Sequence, residues 1–364
     1  MLVCGTIEGV SEVLLNAELA PLTTLKLGGP AERLVRIGDS DELIEFVRQA
    51  DGEGEPLFFL SGGSNVVIAD EGIPGTTVLI ETRGFGDKLQ PGGGVAVTAL
   101  AGESWDGFVA RVVGDGLAGV ECLAGIPGSV GATPIQNVGA YGQEVSNRIR
   151  TVRALDRESG TVEYLTNEDC GFSYRSSRFK GDSRFVVLAV EFLLSPSALS
   201  EPISYSQLAG ALGVEVGQRV PLAAARKKVL ELRRAKSMVV DPADPDSVSA
   251  GSFFTNPILT MAEMDSLIAR AKEVLGPDQS PPTYPAEDGS VKTSAAWLIE
   301  RAGFSRGYGE GPVGLSRNHT LALVNRGGAS TNELVEFARE IAGKVEDTFG
   351  VALVPEPVFV GHRW

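Results

Sequence analysis

The stretch LAGIPGSVGATPIQNVGAYGQE, residues 123–144, decides how the rest of the chain is interpreted. It is rich in glycine, interrupted by proline, and carries no charged side chain before Glu144. Uncharged loops of this length are usually functional, although a glycine loop packed under a sheet is the structural alternative. Because glycine lets a backbone approach a ligand closely, we interpret the stretch as a cradle for a large flat or phosphorylated cofactor.

The segment before the cradle predicts a β-α-β unit that ends in a second glycine turn. Residues 34–37 and 57–60 are apolar runs typical of strands, and residues 43–50 carry apolar side chains at helical spacing. No Gly-x-Gly-x-x-Gly precedes a helix, so a Rossmann dinucleotide site is not supported. A turn of this kind offers backbone N–H groups to a phosphate, with a plain tight turn as the alternative. The turn comprises Ser61, Gly62, Gly63, Ser64 and Asn65.

The rest of the chain mixes predicted strands and helices, which indicates an α+β fold. Strands are predicted at residues 78–80, 95–100, 149–155, 161–165 and 185–194, the last three antiparallel. Helices are predicted at residues 105–112, 222–234, 261–271, 293–302 and 330–345. The last helix starts with a capping box formed by Ser330 and Glu333.

Composition excludes several classes of protein. The chain has 47 acidic and 32 basic side chains and a net charge of −15, whereas a general nucleic-acid binder needs a basic face. Its three cysteines, Cys4, Cys122 and Cys170, are too widely spaced for a disulfide framework, which predicts a reducing, cytoplasmic compartment. We expect no signal peptide and no membrane insertion. With only two histidines, we also expect no metal site.

One local excess of positive charge contrasts with this acidic background. We interpret it as a candidate diphosphate anchor, and a solvated helix face is the alternative that spacing alone leaves open. Only Glu231 opposes the cluster. The cluster comprises Arg226, Lys227, Lys228, Arg233, Arg234 and Lys236.

Segments spread over nearly the whole chain resemble, in order, the UDP-N-acetylenolpyruvoylglucosamine reductase family, flavoenzymes of bacterial peptidoglycan precursor synthesis. The most specific are GIPGSVGATPIQNVGAYG, within the cradle, and GSFFTNP, residues 251–257. The others are TTLKLGGPAERL from residue 23, LSGGSNVVIADEG from 60, AGESWDGFV from 101, CGFSYRSSRFK from 170, KTSAAWLIERAGF from 292 and LVPEPVFVG from 353.

The resemblance implies an α+β fold with a two-part FAD-binding domain of the vanillyl-alcohol-oxidase-like type and a C-terminal α+β substrate-binding domain. On this basis residues 1–75 form the first FAD-binding part, rejoined by the tail 350–364. Residues 76–220 form the second part and residues 221–349 the substrate-binding domain. PISYSQL, from residue 202, looks like the additional tyrosine-bearing segment of the family's first type.

The reaction that the resemblance implies has two halves. NADPH reduces FAD, and hydride then passes from flavin N5 to the vinyl carbon of UDP-N-acetylglucosamine enolpyruvate, giving UDP-N-acetylmuramate after protonation. By motif position, Arg175 stabilises the enolate, because a cationic fork at the carboxylate favours the transition state. Glu356 assists this polarisation, for which it must be protonated. Ser252 is the proton donor.

The remaining site assignments also follow from the resemblance. Non-covalent FAD is expected, because no histidine precedes His319 and Cys122, the formal alternative, lies in an apolar run. The chain departs from the family at Thr255, where lysine is frequent, which puts a phosphate contact there in question. Besides residues 61–65, the cofactor-binding residues are Gly125, Ile126, Pro127, Gly128, Ser129, Gly131 and Ala132. The substrate-binding residues are Tyr141, Tyr205, Lys236, Asn256 and Lys292.

Two other functions compete with this one. Another FAD-dependent oxidase or dehydrogenase of the same superfamily would keep the glycine turn and cradle without needing Arg175, Ser252 and Glu356 together. A catalytically inactive regulator that binds a nucleotide sugar or flavin would not need to retain these three chemical positions. We expect a monomer that binds a UDP-sugar and NADPH. The acidic loop 241–249 is either a lid or a surface excursion.

Overall fold

The computed structural model describes residues 12–286 and 289–364, and Cys4 lies outside these residues. The described chain forms two compact units. The first comprises residues 12–18, 30–63 and 72–239, and the second comprises residues 19–29, 64–71 and 240–364. No helix among the described residues combines the length and the apolar character needed to cross a membrane.

Both helices and strands occur in each unit. The helices of the described residues are α1 (Ser40–Glu53), α2 (Trp105–Gly114), α3 (Ser206–Leu212), α4 (Leu222–Arg234), α5 (Met261–Leu275), α6 (Ala295–Arg301) and α7 (Thr331–Phe349). The strands are β1 (Glu12–Glu18), β2 (Pro30–Ile37), β3 (Leu57–Leu60), β4 (Val66–Ile68), β5 (Ile73–Ile80), β6 (Phe85–Leu89), β7 (Val95–Leu100), β8 (Leu117–Ala118), β9 (Gly139–Ala140), β10 (Gln143–Glu144), β11 (Ile149–Asp156), β12 (Thr161–Thr166), β13 (Phe185–Pro196), β14 (Ile258–Leu259), β15 (Thr283–Pro285), β16 (Val291–Thr293), β17 (Val313–Leu315), β18 (Leu323–Asn325) and β19 (Val358–Val360).

The first unit contains two larger sheets. In one, β2 and β3 both pair in parallel with β5, and β1 adds an antiparallel edge. In the other, β12, β11, β13, β7 and β6 follow one another in antiparallel order, as predicted for the last three strands. Trp105 and Phe108 of α2 are fully buried and stack on each other, with ring centroids 5.4 Å apart. The apolar face predicted for this helix therefore lies in the core.

The second unit is built around the last helix. Leu334, Ala338 and Ile341 of α7 are fully buried in its core. The helix begins with the predicted capping box, because Ser330 accepts from the backbone of Glu333 and Glu333 accepts from the backbone of Ser330. The C-terminal strand β19 pairs in parallel with β4.

The start of α6 lies two residues later than predicted. A helix was predicted from residue 293, but Thr293 is the last residue of β16 and α6 begins at Ala295. Ser294 explains the difference, because its Oγ accepts from the N–H of Trp297 at 3.2 Å and caps the helix.

The acidic loop 241–249 is fixed by a buried carboxylate. Asp246 is 3% exposed and accepts hydrogen bonds from the backbone N–H of Arg317 at 2.7 Å and from its guanidinium. Burial alone favours the neutral acid, but the hydrogen bonds from Arg317 lower the pKa of Asp246 below its ordinary value. The second half of the loop, from Asp246, is thus packed into the second unit, whereas residues 241–243 and Pro245 are exposed.

The compact units do not follow the predicted three-part division. Residues 221–239 were assigned to the substrate-binding domain but lie in the first unit, because Leu222 and Val229 of α4 pack into its core. Residues 64–71 were assigned to the first FAD-binding part but lie in the second unit, where β4 pairs with β19. As an assignment of functions, the three-part division stays a prediction.

Candidate active site

Two glycine segments come into contact in the first unit. A Cβ atom added to Gly62 would lie 2.5 Å from the Cα of Gly128, so the two backbones meet with no room for a side chain. Ser61 fixes the turn by donating from Oγ to the carbonyl of Ile80 at 3.0 Å. The predicted turn and the predicted cradle therefore form one backbone surface.

The cradle is hydrogen-bonded to the first residue of α2 and to Ala101, which follows β7. The N–H of Trp105 donates to the carbonyl of Gly128 at 3.0 Å, and its indole Nε1 donates to the carbonyl of Leu123 at 3.0 Å. Gly131 donates to the carbonyl of Ala101 at 2.9 Å, and a Cβ on Gly131 would lie 2.5 Å from that of Ala101. Glycine is required at residue 131 by this close packing.

Several backbone N–H groups where the glycine turn meets the cradle have no acceptor among the described residues. Among the hydrogen bonds of the described residues, none uses the N–H of Gly62, Gly63, Gly128 or Ser129 as donor. The buried Oγ of Ser129 also has no hydrogen-bond partner among them. Gly63 and Ser129 are buried, and buried polar groups are normally satisfied, so donors left without an acceptor there favour an anionic ligand. The residues therefore fit the diphosphate of FAD.

The second half of the glycine turn, Ser64 and Asn65, belongs to the second unit. Asn65 donates from Nδ2 to the carbonyl of Glu356 at 3.3 Å, and its own carbonyl accepts from the N–H of Val358 at 2.9 Å. These bonds extend the pairing of β4 with β19. A residue predicted to bind the cofactor thus contacts one predicted to be catalytic.

Arg175 is held against carbonyl groups of the cradle. Its guanidinium donates to the carbonyl of Gly139 at 2.7 Å and to that of Asn137 at 3.4 Å. A carboxylate oxygen of Glu144 lies 3.7 Å from Nη1, and only 18% of the Arg175 side chain is exposed. A planar cation fixed in this way is suited to stabilising a carboxylate.

Several non-glycine residues of this region have left-handed backbone conformations. The φ angles of Asn137, Tyr141 and Arg175 are 46°, 48° and 52°. Such conformations cost about 1–3 kcal/mol each, and they cluster at functional sites. At Asn137 the side chain offsets the cost, because Nδ2 donates to Glu144 at 2.9 Å and to the carbonyl of Ser173 at 3.1 Å.

Tyr141, Tyr205 and Lys236, all predicted to bind substrate, come together in the first unit. The two tyrosine rings meet edge to face with centroids 5.5 Å apart. Lys236 Nζ lies 5.8 Å from the centroid of Tyr141 and donates to Gln207 at 2.9 Å. Tyr205 is 44% exposed, whereas burial raises the pKa of Tyr141. Aromatic rings beside an ammonium group are suited to a nucleotide base and a phosphate.

The basic cluster of α4 supports the cradle through two of its arginines. Arg226 donates to the carboxylate of Asp106 at 3.1 Å, and the same carboxylate accepts from the N–H of Gly125 at 2.8 Å. Arg233 is buried and donates to the carbonyl of Met238 at 2.7 Å. Burial lowers the pKa of Arg233 to about 10. The helix is therefore more than a solvated face, and its role as a diphosphate anchor stays a prediction.

In the second unit, the GSFFTNP segment runs antiparallel to the tail that carries Glu356. The N–H of Glu356 donates to the carbonyl of Phe253 at 2.8 Å, and the N–H of Thr255 donates to the carbonyl of Val354 at 3.0 Å. This pairing brings the backbone of Glu356 opposite Phe253, the residue that follows Ser252, although the two segments are far apart in sequence.

Asn256 lies on the same segment, and Lys292 lies on β16, which pairs with the strand that follows it. The Oδ1 atom of Asn256 accepts from the N–H of Ala295 at 3.0 Å and so fixes the start of α6. The pairing of β14 with β16 places Ile258 opposite Lys292. Asn256 thus has a structural contact of its own, and the substrate contacts of both residues stay predictions.

The two cysteines of the described residues are poor candidates for linkage to flavin. Cys122 is buried in the core of the first unit, and burial strongly raises its pKa. Burial also raises the pKa of Cys170 to about 12. Because the thiolate is the nucleophilic form, these thiols are unreactive, which favours non-covalent FAD.

Sequence reasoning missed one side chain of the site, Glu144, and one that caps a helix, Asp70. Glu144 contacts Arg175, and the only signal was its position as the first charge after an uncharged stretch. Asp70 accepts from the N–H groups of Thr331 at 2.7 Å and Asn332 at 2.9 Å, at the start of α7. No local sequence pattern predicts the contact of Asp70 with the start of α7, because the two lie far apart in sequence.

Known proteins resemble this chain along most of its length. The sequence profile described as FAD binding domain matches residues 31–166. The profile described as UDP-N-acetylenolpyruvoylglucosamine reductase, C-terminal domain, matches residues 242–360. The chain thus carries both predicted modules.

Relatives cover the chain from end to end. It is 57% identical over 348 residues to the UDP-N-acetylenolpyruvoylglucosamine reductase of Streptomyces avermitilis, covering 95% of this chain and 94% of that protein. It is 55% identical over 346 residues to the enzyme of that name from Thermobifida fusca, covering 95% and 97%. A crystal structure of UDP-N-acetylenolpyruvylglucosamine reductase from Thermus caldophilus shares the fold, with a TM-score of 0.64 at 22% identity, covering 99% of this chain and 100% of that one.

Proposed function

Because the chain belongs to the UDP-N-acetylenolpyruvoylglucosamine reductase family, we propose that Arg175, Ser252 and Glu356 carry out the chemical step of this reduction. The chain is an FAD-binding, NADPH-dependent oxidoreductase of peptidoglycan precursor synthesis. It converts UDP-N-acetylglucosamine enolpyruvate to UDP-N-acetylmuramate. The observation that carries the proposal is the pairing of the GSFFTNP segment with the tail, in which the N–H of Glu356 donates at 2.8 Å to the carbonyl of Phe253, the residue after Ser252.

FAD, once reduced by NADPH, supplies the hydride that adds to the vinyl carbon of the substrate. The N–H groups of Gly62, Gly63, Gly128 and Ser129 hold its diphosphate, since they have no other acceptor among the described residues. The hydroxyl of Ser129 adds a further donor. Backbone donors bind without side-chain ordering, so the cofactor is held in one orientation at little entropic cost.

Arg175 acts on the carboxylate of the substrate. When hydride adds to the vinyl carbon, negative charge develops on the neighbouring carbon and its carboxylate. A guanidinium already fixed by Gly139 and Asn137 stabilises this charge without reorganising, so its effect is larger in the transition state than in the ground state.

Ser252 and Glu356 complete the reaction. Ser252 donates its proton to the enolate carbon and is left as an alkoxide. The serine hydroxyl is a weak acid, but the carbanion-like carbon is a stronger base than an alkoxide, so the transfer is favourable when the two groups are held in contact. Glu356 assists polarisation of the carboxylate. Tyr205, Lys236 and Asn256 contact the UDP moiety, and Tyr141 and Lys292 have the same role.

The experiment that tests the proposal separates the two half-reactions of Ser252→Ala by rapid mixing. Reduction of the bound flavin by NADPH should keep its rate, because that step needs no proton from this residue. Reoxidation by the enolpyruvyl substrate should slow by about 10²–10⁴-fold, the usual contribution of a general acid.

A matched control is Ser266→Ala, since Ser266 is exposed on α5 and donates only within its own helix. It should leave both rates unchanged. Equal slowing of both half-reactions in Ser252→Ala would contradict the role of proton donor and indicate a displaced flavin.

The visible spectrum tests the substrate assignment. The purified protein should be yellow, bleach on addition of NADPH, and regain colour with UDP-N-acetylglucosamine enolpyruvate. Rapid recolouring by oxygen alone would instead support an oxidase, and a colourless protein that binds UDP-sugar would support a regulator.

We also propose that the protein acts as a monomer in the cytoplasm. The free thiols of Cys122 and Cys170 support a reducing compartment. Light scattering coupled to gel filtration tests the monomer against its mass of 38.2 kDa.

A further inference from the structure

Glu144 connects Asn137 of the cradle with Arg175, and both of these residues have left-handed backbone conformations. One of its oxygens lies 3.7 Å from Nη1 of Arg175, and the other accepts from Nδ2 of Asn137 at 2.9 Å. Asn137 also donates to the carbonyl of Ser173, two residues before Arg175. The carboxylate is therefore tied both to the guanidinium and to the backbone that leads to it.

The surroundings of Glu144 make this contact stiff. The residue lies on β10, which pairs with β9, and Glu144 stands opposite Gly139. The carbonyl of Gly139 is itself an acceptor for Arg175 at 2.7 Å. A Cβ on Gly139 would lie 2.8 Å from Cγ of Glu144 and 2.9 Å from Nη1 of Arg175, so the three groups are closely packed.

An anion at this position has opposite effects on binding and on chemistry. Glu144 has 36% of its side chain exposed, so water screens it only in part. Its charge weakens the attraction of Arg175 for the carboxylate of an incoming substrate. The same charge restricts the guanidinium to one orientation, which matters most when the enolate forms.

We infer that Glu144 is a positioning residue, which orients Arg175 toward the substrate carboxylate at the expense of ground-state affinity. The inference rests on the proposed function, because it requires that Arg175 stabilise the enolate. It predicts that loss of the charge on Glu144 lowers the rate of the chemical step without raising the Michaelis constant for the enolpyruvyl substrate.

The test is Glu144→Gln in the FAD-loaded enzyme. Glutamine keeps the length and the acceptor for Asn137, so the fold and the flavin content should stay the same. Reoxidation by the enolpyruvyl substrate should slow about 10- to 100-fold, as expected for a displaced catalytic group. The Michaelis constant should fall or stay constant, and reduction by NADPH should keep its rate.

Glu168→Gln is the matched control, because Glu168 is an exposed glutamate of the same unit. It should change neither half-reaction. A raised Michaelis constant with unchanged turnover in Glu144→Gln would overturn the inference, since that result is expected of a residue that merely shapes the binding site.

A double-mutant cycle distinguishes this inference from the proposed function. In an Arg175→Lys background, Glu144→Gln should have little further effect on reoxidation, because the two residues act as one unit. If the full effect of Glu144→Gln persists there, Glu144 does not act through Arg175. If Arg175→Lys itself leaves reoxidation unchanged, the proposed role of Arg175 fails instead.

Discussion

At the scale of single residues, the surface predicted to bind the cofactor depends on the absence of a side chain at residue 62. Gly62 meets the backbone of Gly128 so closely that a Cβ would lie 2.5 Å from the Cα of Gly128. A backbone atom in the middle of a constrained loop cannot move aside as the end of a flexible side chain can. Residue 62 therefore must be glycine for steric reasons, whatever its φ angle.

Gly62→Ala should separate the turn from the cradle and lower the flavin content of the purified protein. Overpacking of this kind costs about 1–3 kcal/mol of stability. The absorbance of bound flavin per mole of protein and thermal unfolding measure the two effects. Gly52→Ala is the control, because Gly52 lies in α1 with nothing within 4 Å of an added Cβ. This variant should keep its flavin, and its free energy of unfolding should rise by about 0.5–1 kcal/mol.

At the scale of elements, the start of α7 is held by two sources of capping. Ser330 and Glu333 form the local capping box. Asp70 follows β4 and accepts from the N–H groups of Thr331 and Asn332. A carboxylate at a helix N-terminus also interacts favourably with the helix dipole. One helix end thus ties together parts of the second unit that are distant in sequence.

Asp70→Ala should destabilise the second unit by about 0.5–2 kcal/mol, the usual cost of losing an N-terminal cap. Denaturant unfolding followed by fluorescence measures this loss. The control is Glu71→Ala, because Glu71 is the neighbouring residue and is exposed. It should change the free energy of unfolding by less than about 0.5 kcal/mol. An Asp70→Ala variant as stable as the parent would mean that the capping box alone fixes the helix.

At the scale of the whole molecule, the net charge of −15 opposes the binding of anionic ligands. UDP-sugar and NADPH are both anionic, so local cations have to overcome the overall field. Lys236 is suited to this role, because it lies beside the pair formed by Tyr141 and Tyr205.

Lys236→Ala should raise the Michaelis constant for the UDP-sugar several-fold with a smaller effect on turnover, as expected for uniform binding. The increase should shrink as salt is added, because ions screen partly exposed charges. Steady-state kinetics at low and high ionic strength test both points. Lys88→Ala, an exposed lysine of β6 outside the basic cluster, is the control and should have little effect. If the Michaelis constant of Lys236→Ala for the UDP-sugar is unchanged at low salt, Lys236 does not contact this substrate.

The pH dependence of global stability should reveal a buried ion pair. Asp156 is 1% exposed and accepts from the guanidinium of Arg184 at 2.9 and 2.7 Å. The hydrogen bond from Arg184 lowers the pKa of Asp156 from 3.8 to about 2. Because the folded state holds this proton less tightly than the unfolded state, the pair stabilises the fold above about pH 4. That contribution is lost as pH falls toward 2.

Asp156→Asn should therefore lower the free energy of unfolding at neutral pH, and its difference from the parent should vanish between about pH 4 and pH 2. Chemical denaturation at a series of pH values measures this difference. Asp265→Asn, an exposed position of α5, should show no such dependence. A difference that stays constant down to pH 2 would contradict the assignment to this pair.

The sequence by itself determined the local elements, the α+β class and the family. The helix predicted at residues 222–234 has the same bounds in the structure, because apolar periodicity is a property of one short segment. The motifs of residues 123–144 and 251–257 identified the cofactor and the reaction, and family membership confirms both. The roles of Arg175, Ser252 and Glu356 stay predictions that the observed contacts support.

Only the tertiary structure decided which of these segments meet. Nothing in the local pattern indicates that Gly62 touches Gly128, that Asp70 caps α7, or that Glu356 pairs with Phe253. Nor does it assign α4 to the first unit, or attach Glu144 to Arg175. Local propensity depends on neighbours along the chain, whereas these contacts depend on how whole elements pack. Each element buries its apolar face against a partner that may lie anywhere in the sequence, and that partner then fixes the polar contacts of the site.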